Sequence, residues 1–454
     1  MNKAVITLIK GLCAIGVAIA VYFFAPDGMP EPAKRTLAVF VWAALFWVFE
    51  IIPLYATSLG IVVLLTFLLG RPGGILGMDE TGYAVFMLPF GSPVIMLFFG
   101  GLVIAGAVQK YSLDKILASK SLKLLGSSPY SVMCGFIFIT AFLSMWMSNT
   151  AVAAMMIALI RPLLKQIDEN DPFKVALILS IPFAANIGGI GTPIGTPPNA
   201  IAIGILANYG IHLDFISWMK MAVPLAAVLL FIVSIVLIKM FPPKMKELNL
   251  QVSEEKQVFT SRTNAVIGII ILTIILWLTT GIHKIPAALI ALLSACLFSA
   301  SGLLKREDYK KIDWDILILM WGGLALGKGL EISGLSSWIV GQPLFEYRGF
   351  LLIVIFSLLA VLFGAFMSNT ATANLIIPIA MAIPGENHLL LVITIALSCS
   401  FAMALPVSTP PNAIAFSSNM LKSRDLLKAG ILISLISLGL TLAGVQFILP
   451  RIFW

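Results

Sequence analysis

Long apolar stretches with few charged residues run through almost the whole chain and restrict it to structures that suit a lipid bilayer. The 454 residues are 60% hydrophobic and 11% charged, whereas soluble domains average about 25% charged residues. Backbone groups inside a bilayer must find hydrogen-bond partners within the protein. The pattern therefore predicts a bundle of membrane-spanning helices and excludes a soluble globular protein.

Apolar runs that are long enough to cross a bilayer predict about eleven spans. These spans lie near 11–27, 35–52, 54–70, 82–108, 172–208, 217–240, 263–281, 285–304, 313–333, 388–419 and 428–450. Two further apolar stretches, 129–165 and 350–384, are each interrupted in the middle by Ser-Asn-Thr. Their halves of about 15 residues are too short to cross alone. We therefore predict two re-entrant helical hairpins.

Basic residues predict how the chain is oriented in the membrane. With the N-terminus in the cytoplasm and neither hairpin crossing, most of the 29 Lys and Arg residues fall on cytoplasmic segments, as the positive-inside rule requires. The first hairpin then opens inward and the second opens outward, an arrangement typical of an inverted-topology repeat. We expect a protein of the cell inner (plasma) membrane with a cytoplasmic N-terminus.

Two short motifs recur in the two halves of the sequence. Met-Ser-Asn-Thr-Ala occurs at 147–151 and again at 367–371, and Thr-Pro-Pro-Asn-Ala-Ile-Ala occurs at 196–202 and again at 409–415. We divide the chain into an N-terminal helix outside the repeat at 1–34, a first repeat at 35–241, a cytoplasmic linker at 242–262 and a second repeat at 263–454. The first repeat contains the hairpin 129–165 and a broken helix at 172–208; the second contains the hairpin 350–384 and a broken helix at 388–419.

The two Pro-Pro pairs predict helices that are broken inside the membrane. Each pair removes two backbone donors and prevents a continuous helix. Unwound backbone at membrane depth is tolerated only where it lines a cavity or is buried in protein. We expect each broken helix to consist of two half-helices joined by a loop near the bilayer centre.

The residues at these breaks are suited to binding an anion together with a cation. Half-helix N-termini present free N–H groups and the positive end of the helix dipole to an anion, and Ser, Asn and Thr add hydrogen bonds. Free carbonyl groups nearby suit sodium. One alternative is that Ser-Asn-Thr forms ordinary helix N-caps, and another is that the prolines are simple kinks. The repetition of both motifs favours a binding site.

Other function classes find less support in the sequence. Residues 322–329 resemble a phosphate-binding P-loop, but glycine at 329 replaces the Ser or Thr that would hold magnesium. The expected pairs of catalytic carboxylates, or a nucleophile with a base, do not occur, so we do not expect an enzyme. A channel would need a continuous polar pore. The net charge of +8 is explained by the basic residues on cytoplasmic segments, so no nucleic-acid partner is expected.

With these motifs the chain resembles the divalent anion/sodium symporter family, whose members carry C4 dicarboxylates, citrate or sulfate. The resemblance covers nearly the whole length and includes the corner at 50–58 and the stretch 399–412, where Met403 stands in place of the expected Phe. It implies an all-α membrane protein that forms a homodimer and moves its hairpins and broken helices by an elevator-like shift.

The resemblance also implies roles for individual residues. Substrate binding is implied for Ser148, Asn149, Thr150, Thr196, Ser368, Asn369, Thr370, Thr409 and Pro410. A first sodium site is implied for Ser144, Ser148, Asn149 and the carbonyl of Gly195, and a second for the carbonyls near Gly364 and Met367 with Asn369 and the region of Ser408.

The function that follows from the resemblance is sodium-coupled symport of C4 dicarboxylates such as succinate, malate or fumarate. Sodium is the expected coupling ion, and no organic cofactor is expected. Carrying a dianion to mid-membrane without a nearby Lys or Arg is costly, and bound cations offset that cost. A dicarboxylate exchanger and a sodium/sulfate symporter remain as alternatives on the same fold.

Overall fold

The computed structural model describes residues 3–123, 126–248, 260–341, 349–383, 387–418 and 420–447. These residues form helices joined by loops, and no β-strand occurs among them. The all-helical fold expected from the apolar pattern is thereby confirmed. Much of the predicted linker 242–262 lies outside the described residues.

The helices follow one another along the chain with these bounds. They are α1 Lys3–Phe23, α2 Glu31–Val48, α3 Leu54–Leu65, α4 Pro93–Lys110, α5 Leu113–Lys123, α6 Pro129–Ser144, α7 Asn149–Leu164, α8 Phe173–Gly189, α9 Pro197–Asn208, α10 Phe215–Met240, α11 Ser261–Leu278, α12 Thr280–His283, α13 Ala287–Ala300, α14 Arg306–Tyr309, α15 Trp314–Ile332, α16 Leu335–Val340, α17 Phe350–Gly364, α18 Asn369–Met381, α19 His388–Cys399, α20 Pro410–Phe416 and α21 Ser423–Phe447. A π-helical turn extends α3 over Thr66–Gly70, and two 3-10 helices occupy Gly82–Phe86 and Leu88–Gly91.

Helices that could cross a bilayer alone alternate with shorter apolar ones. Within the described part of the chain, five helices have the length and apolar character of a span, namely α1, α4, α10, α11 and α21. The arms of both hairpins, and helices α8 and α19, are shorter. In the predicted span 82–108, the α-helix begins only at Pro93 and is preceded by the two 3-10 helices. Pro89 and Pro93 lack the backbone N–H that a continuous α-helix would need.

The helix breaks fall where the two motifs predict them. In the first hairpin, α6 ends at Ser144 and α7 begins at Asn149; in the second, α17 ends at Gly364 and α18 begins at Asn369. Each Pro-Pro pair opens a new helix, α9 or α20, after a loop that follows α8 or α19. Proline is favoured at such a start because its missing N–H would have no partner there.

The first of two compact units comprises residues 1–95, 200–212 and 313–399. Within it, α15 packs against α3 and α18, and the hairpin arms α17 and α18 pack against each other and against α19. A Cβ atom at Gly322 would lie 2.4 Å from the Cβ of Ser58, and one at Gly323 would overlap the amide of Asn374. The glycines of the P-loop-like stretch therefore serve close helix packing.

The second unit comprises residues 96–199, 213–312 and 400–454. Its hairpin arms α6 and α7 pack against each other and against α8, while α20 packs against α7 and α8. Trp146 at the hairpin tip stacks on Phe215, which stacks on Trp277 with ring centroids 4.6 Å apart. Helix α8 is buried continuously from Ala176 to Gly189. Each unit draws on both sequence halves, so the repeat boundaries remain a prediction.

Candidate functional site

Both Ser-Asn-Thr triplets begin the second arm of their hairpin with the same cap. The hydroxyl oxygen of Ser148 accepts a hydrogen bond from the backbone N–H of Ala151 at 3.4 Å, and that of Ser368 accepts from the N–H of Ala371 at 3.1 Å. The N-cap alternative is thus correct for both serines. A capping hydroxyl uses only an acceptor position, so each serine keeps its proton for another partner.

The asparagine and threonine of each triplet lie in the first turn of the helix that the serine caps. Asn149, Asn369 and Thr370 are half-buried, whereas Thr150 is exposed. The backbone N–H groups of a first helical turn lack intrahelical partners. Each tip therefore combines free donors, hydroxyl groups and an amide at the positive end of a helix dipole. The first triplet belongs to the second unit and the second triplet to the first unit.

An oxygen cluster lies behind the first hairpin tip. The hydroxyl oxygen of Ser144 is 2.5 Å from Oδ1 of Asn149 and 2.8 Å from the carbonyl oxygen of Ala185. A serine hydroxyl has one proton, while the amide oxygen and the carbonyl oxygen are acceptors only. The single hydroxyl proton of Ser144 is therefore shared among three oxygens that lie close together. A hard monovalent cation, which takes oxygen ligands, fits such a cluster.

The end of α8 comes close to this cluster at Gly189, and the loop that follows packs against Gly189 at Gly195. A Cβ atom at Gly189 would lie 2.6 Å from Oδ1 of Asn149, and one at Gly195 would lie 2.4 Å from the carbonyl oxygen of Gly189. The structure therefore brings Ser144 and Asn149 together, two of the four residues predicted for the first sodium site, and a third is the capping serine of the same tip. Gly195, the fourth, packs against Gly189, and its role as a ligand stays a prediction. The carbonyl of Ala185 was missed because a main-chain oxygen inside α8 leaves no mark in the sequence.

The second predicted sodium site lacks a hydroxyl at the position that matches Ser144. Gly364 stands where the first hairpin has a serine, and it is buried. As a result, no donor among the described residues reaches the buried Oδ1 of Asn369. An unpaired buried acceptor costs about 1–3 kcal/mol, and a bound cation would remove that cost.

The other residues predicted for the second sodium site are divided between the units. Met367 is buried and lies in the first unit with Gly364 and Asn369, whereas Ser408 lies in the second unit. The hydroxyl of Ser408 donates to the carbonyl of Leu405 at 2.7 Å. It also accepts from the side-chain amide of Asn412 at 3.3 Å.

The asparagines of the two Thr-Pro-Pro-Asn motifs hold the unwound loops in place. Nδ2 of Asn199 reaches carbonyl oxygens of Gly189 at 3.1 Å and Thr192 at 2.8 Å, besides that of Ile190 at 3.3 Å. Nδ2 of Asn412 reaches the carbonyls of Met403 at 2.9 Å and Leu405 at 3.1 Å. Both side chains are fully buried. The repeated asparagine therefore ties the loop before each new helix to that helix.

Two more side chains fix the loop that follows α8. The hydroxyl of Thr192 donates to the carbonyl of Met145 at the hairpin tip. The indole N–H of Trp218 donates to the carbonyl of Ile190 at 2.8 Å. The first hairpin tip and the first unwound loop thus form one hydrogen-bonded assembly.

The residues predicted to line the substrate cavity from the two proline motifs lie at the starts of α9 and α20. Thr196 and Thr409 are buried, while Pro410 is exposed. The hydroxyl oxygen of Thr409 caps α20 by accepting from the N–H of Asn412 at 3.3 Å, and it also accepts from Nδ2 of Asn186 at 3.1 Å. Sequence reasoning missed Asn186; an amide in the last turn of an apolar half-helix was the available signal.

Electrostatically, the assembly in the second unit relies on dipoles. None of the hydrogen bonds described above involves a charged side chain. An anion at this site would be held by helix N-termini, hydroxyls and amides, and a cation by carbonyl and amide oxygens. Such a site has no fixed charge of its own, so the binding of one ion favours the binding of an ion of opposite charge.

Comparison with known proteins identifies relatives over nearly the full length. A sequence model of the family described as the sodium:sulfate symporter transmembrane region matches residues 6–451. A sodium-dependent dicarboxylate transporter, SdcS, of Staphylococcus saprophyticus is 32% identical over 96% of this chain and 89% of its own length. SdcS of Staphylococcus aureus is 31% identical over 95% of this chain and 89% of its own.

Solved structures of low sequence identity share the fold. The YdaH transporter of Alcanivorax borkumensis, described as having an unusual topology, aligns with a TM-score of 0.58 at 14% identity, over 88% of this chain and 99% of its own. MtrF of Neisseria gonorrhoeae, described with a class of antimetabolite efflux pumps, aligns with a TM-score of 0.53 at 12% identity, over 95% of this chain and 96% of its own. These two likenesses concern the fold alone. The family match and the relatives confirm the resemblance carried by the motifs, and the chain belongs to the sodium:sulfate symporter family, which is the divalent anion/sodium symporter family.

Proposed function

We propose that the chain is a secondary active transporter that couples sodium entry to the uptake of a C4 dicarboxylate such as succinate, malate or fumarate. The observation that carries the proposal is the oxygen cluster of Ser144, Asn149 and Ala185, where one hydroxyl proton serves three oxygens. This cluster lies beside a capped helix N-terminus that suits an anion. The names of the SdcS relatives support the same pairing of sodium with a dicarboxylate.

The neutral site gives sodium coupling a physical reason. A dianion carried to mid-membrane has no Lys or Arg in the hairpin and proline motifs to compensate it, and an uncompensated charge there is costly. Sodium bound by Ser144, Ser148, Asn149 and the Gly195 carbonyl supplies positive charge next to the anion. A second sodium, near Asn369, would complete charge neutrality.

The substrate carboxylates meet the two hairpin tips in this account. The residues assigned to the substrate's carboxylates are Ser148, Asn149, Thr150, Ser368, Asn369 and Thr370, with Thr196, Thr409 and Pro410 as the other substrate-binding residues. The capping serines retain a hydroxyl proton that can be donated to a carboxylate. Release follows when sodium leaves, because the anion then loses its compensating charge.

The remaining expectations belong to the same proposal. The transporter resides in the inner (plasma) membrane with a cytoplasmic N-terminus, works as a homodimer and moves its hairpins and broken helices in an elevator-like shift. It has no enzymatic activity and uses no organic cofactor. A sulfate symporter is the second candidate, favoured by the description of the family model.

Uptake into vesicles reconstituted with the purified protein tests the proposal. We expect labelled succinate to enter when sodium is supplied outside and not when choline replaces it. Unlabelled malate and fumarate should compete, whereas sulfate and citrate should compete poorly. Sulfate as the better competitor would favour the second candidate, and uptake that ignores sodium but needs internal dicarboxylate would indicate an exchanger.

A further inference from the structure

A buried hydrogen bond connects the first broken helix to the start of α20. Asn186 on α8 and Thr409 before α20 are 1% and 2% exposed. Nδ2 of Asn186 donates to the hydroxyl oxygen of Thr409 at 3.1 Å, although the two residues lie 223 positions apart in sequence. Both belong to the second compact unit. The contact therefore joins the proline motif of the second repeat to a residue of the first repeat.

The two hydrogen bonds that the Thr409 hydroxyl accepts limit which further hydrogen bonds it can form. A threonine hydroxyl has two acceptor positions and one proton. The N–H of Asn412 and the amide of Asn186 take the two acceptor positions. Within the described residues, no protein acceptor takes the proton of Thr409. A ligand that reaches this hydroxyl must accept a hydrogen bond from it, which a carboxylate does and a sodium ion cannot.

We propose that Asn186 is a positioning residue for the transported anion. By occupying the second acceptor position, its amide turns the Thr409 hydroxyl into an obligatory donor to a substrate oxygen. Thr409 then discriminates between anion and cation at a site where both bind. This inference rests on the proposed function, because it takes Thr409 to contact the substrate.

The neighbouring residue makes the separation of roles testable. Ala185 offers its main-chain carbonyl to the oxygen cluster assigned to sodium, while Asn186 uses only its side chain. Consecutive residues of one helix thus serve the cation and the anion separately. A side-chain substitution at Asn186 should change the affinity for the anion and leave the carbonyl that faces sodium in place.

A double-mutant cycle in reconstituted vesicles tests the proposal. Asn186→Leu has a similar volume but no donor, and Thr409→Val removes the hydroxyl. We expect each substitution to raise the half-saturating succinate concentration about tenfold, the range for losing a hydrogen bond to a charged group. The double variant should be no worse than Thr409→Val alone, because Asn186 acts through Thr409. Half-saturating sodium, measured at saturating succinate, should change less than about twofold.

Several outcomes would overturn the inference. These are an unchanged succinate affinity in Asn186→Leu, losses that multiply in the double variant, or an equal loss of sodium affinity. Asn208→Leu, on the exposed end of α9, is the matched control and should behave as wild type. If Asn186→Leu does not give folded protein, Asn186→Ser, which retains a shorter donor, replaces it and should show a smaller loss than Asn186→Ala.

Transport by the wild-type protein shows whether a failure concerns the proposed function or the role of Asn186. Sodium-independent succinate uptake by the wild type would contradict the proposed function only. If the wild type carries sulfate instead, the same cycle is run with sulfate, whose oxygens are also acceptors. Loss of sulfate affinity through Thr409 would then support the role of Asn186, and its absence would refute that role.

Discussion

Ser144 and Gly364 occupy matching positions before the two hairpin tips, and this one difference makes the two tip asparagines unequal. Oδ1 of Asn149 receives the serine hydroxyl at 2.5 Å, whereas the buried Oδ1 of Asn369 has no donor among the residues described. The amide of the first tip therefore shares the hydroxyl proton with the carbonyl of Ala185. The amide of the second tip has no such donor and depends on an ion or another partner.

Removing the serine hydroxyl should weaken sodium binding at the first tip. In Ser144→Ala, sodium loses one of its oxygen ligands, so we expect half-saturating sodium for succinate uptake to rise about tenfold, equivalent to ~1.4 kcal/mol. Ser180→Ala is the matched control, because Ser180 is also buried but bonds only to the carbonyl of Leu177 within α8. Unchanged sodium dependence in Ser144→Ala would contradict the assignment.

A methyl group at Gly189 should disturb the same cluster by sterics alone. In Gly189→Ala, the new Cβ would lie 2.6 Å from Oδ1 of Asn149, so the amide of Asn149 must shift from its position in the cluster. We expect transport to fall by about tenfold or more at a fixed sodium concentration. Gly106→Ala on α4 meets nothing within 4 Å and should transport normally. Equal activity of the two variants would show that the close approach of α8 has no role.

At the scale of the element, the sequence predicted the hairpins and the broken helices because their signals are local. Ser-Asn-Thr and Pro-Pro each interrupt an apolar run, and the helices begin at Asn149, Pro197, Asn369 and Pro410 as these motifs indicate. The contacts of Asn186 and the carbonyl of Ala185 could not be predicted in this way. They depend on how α8 packs against residues far away in sequence, which a local pattern does not contain.

The asparagine that follows each Pro-Pro pair should contribute to stability. In Asn412→Ala, the carbonyls of Met403 and Leu405 lose their side-chain donor inside the protein. The carbonyl of Leu405 keeps the hydrogen bond from the Ser408 hydroxyl, but that of Met403 loses its donor. A buried acceptor left unpaired costs about 1–3 kcal/mol, so the thermal unfolding midpoint in detergent should fall. Asn208→Ala, at the exposed end of α9, should leave the midpoint unchanged. A drop of the same size in both variants would argue against a specific role for the loop contacts.

For the whole molecule, the predicted topology rests on two hairpins that enter the membrane without crossing it. Single cysteines at Lys246, Lys284 and Lys422, which are all exposed, test this in a background without the four native cysteines. We expect impermeant reagents to label Lys246→Cys and Lys422→Cys from the cytoplasmic side and Lys284→Cys from outside. Labelling of Lys284→Cys and Lys422→Cys from the same side would mean that the second hairpin crosses the membrane, and the inverted repeat would then be wrong.

The central claim is that dicarboxylate transport is driven by sodium bound beside the anion. Its most direct test is the initial rate of succinate uptake into vesicles as external sodium is varied at fixed membrane potential. Two sodium ions binding a site without fixed charge predict a sigmoidal rise with sodium and no uptake in its absence. A rate that does not depend on sodium and requires dicarboxylate inside the vesicle would contradict the account and establish exchange instead.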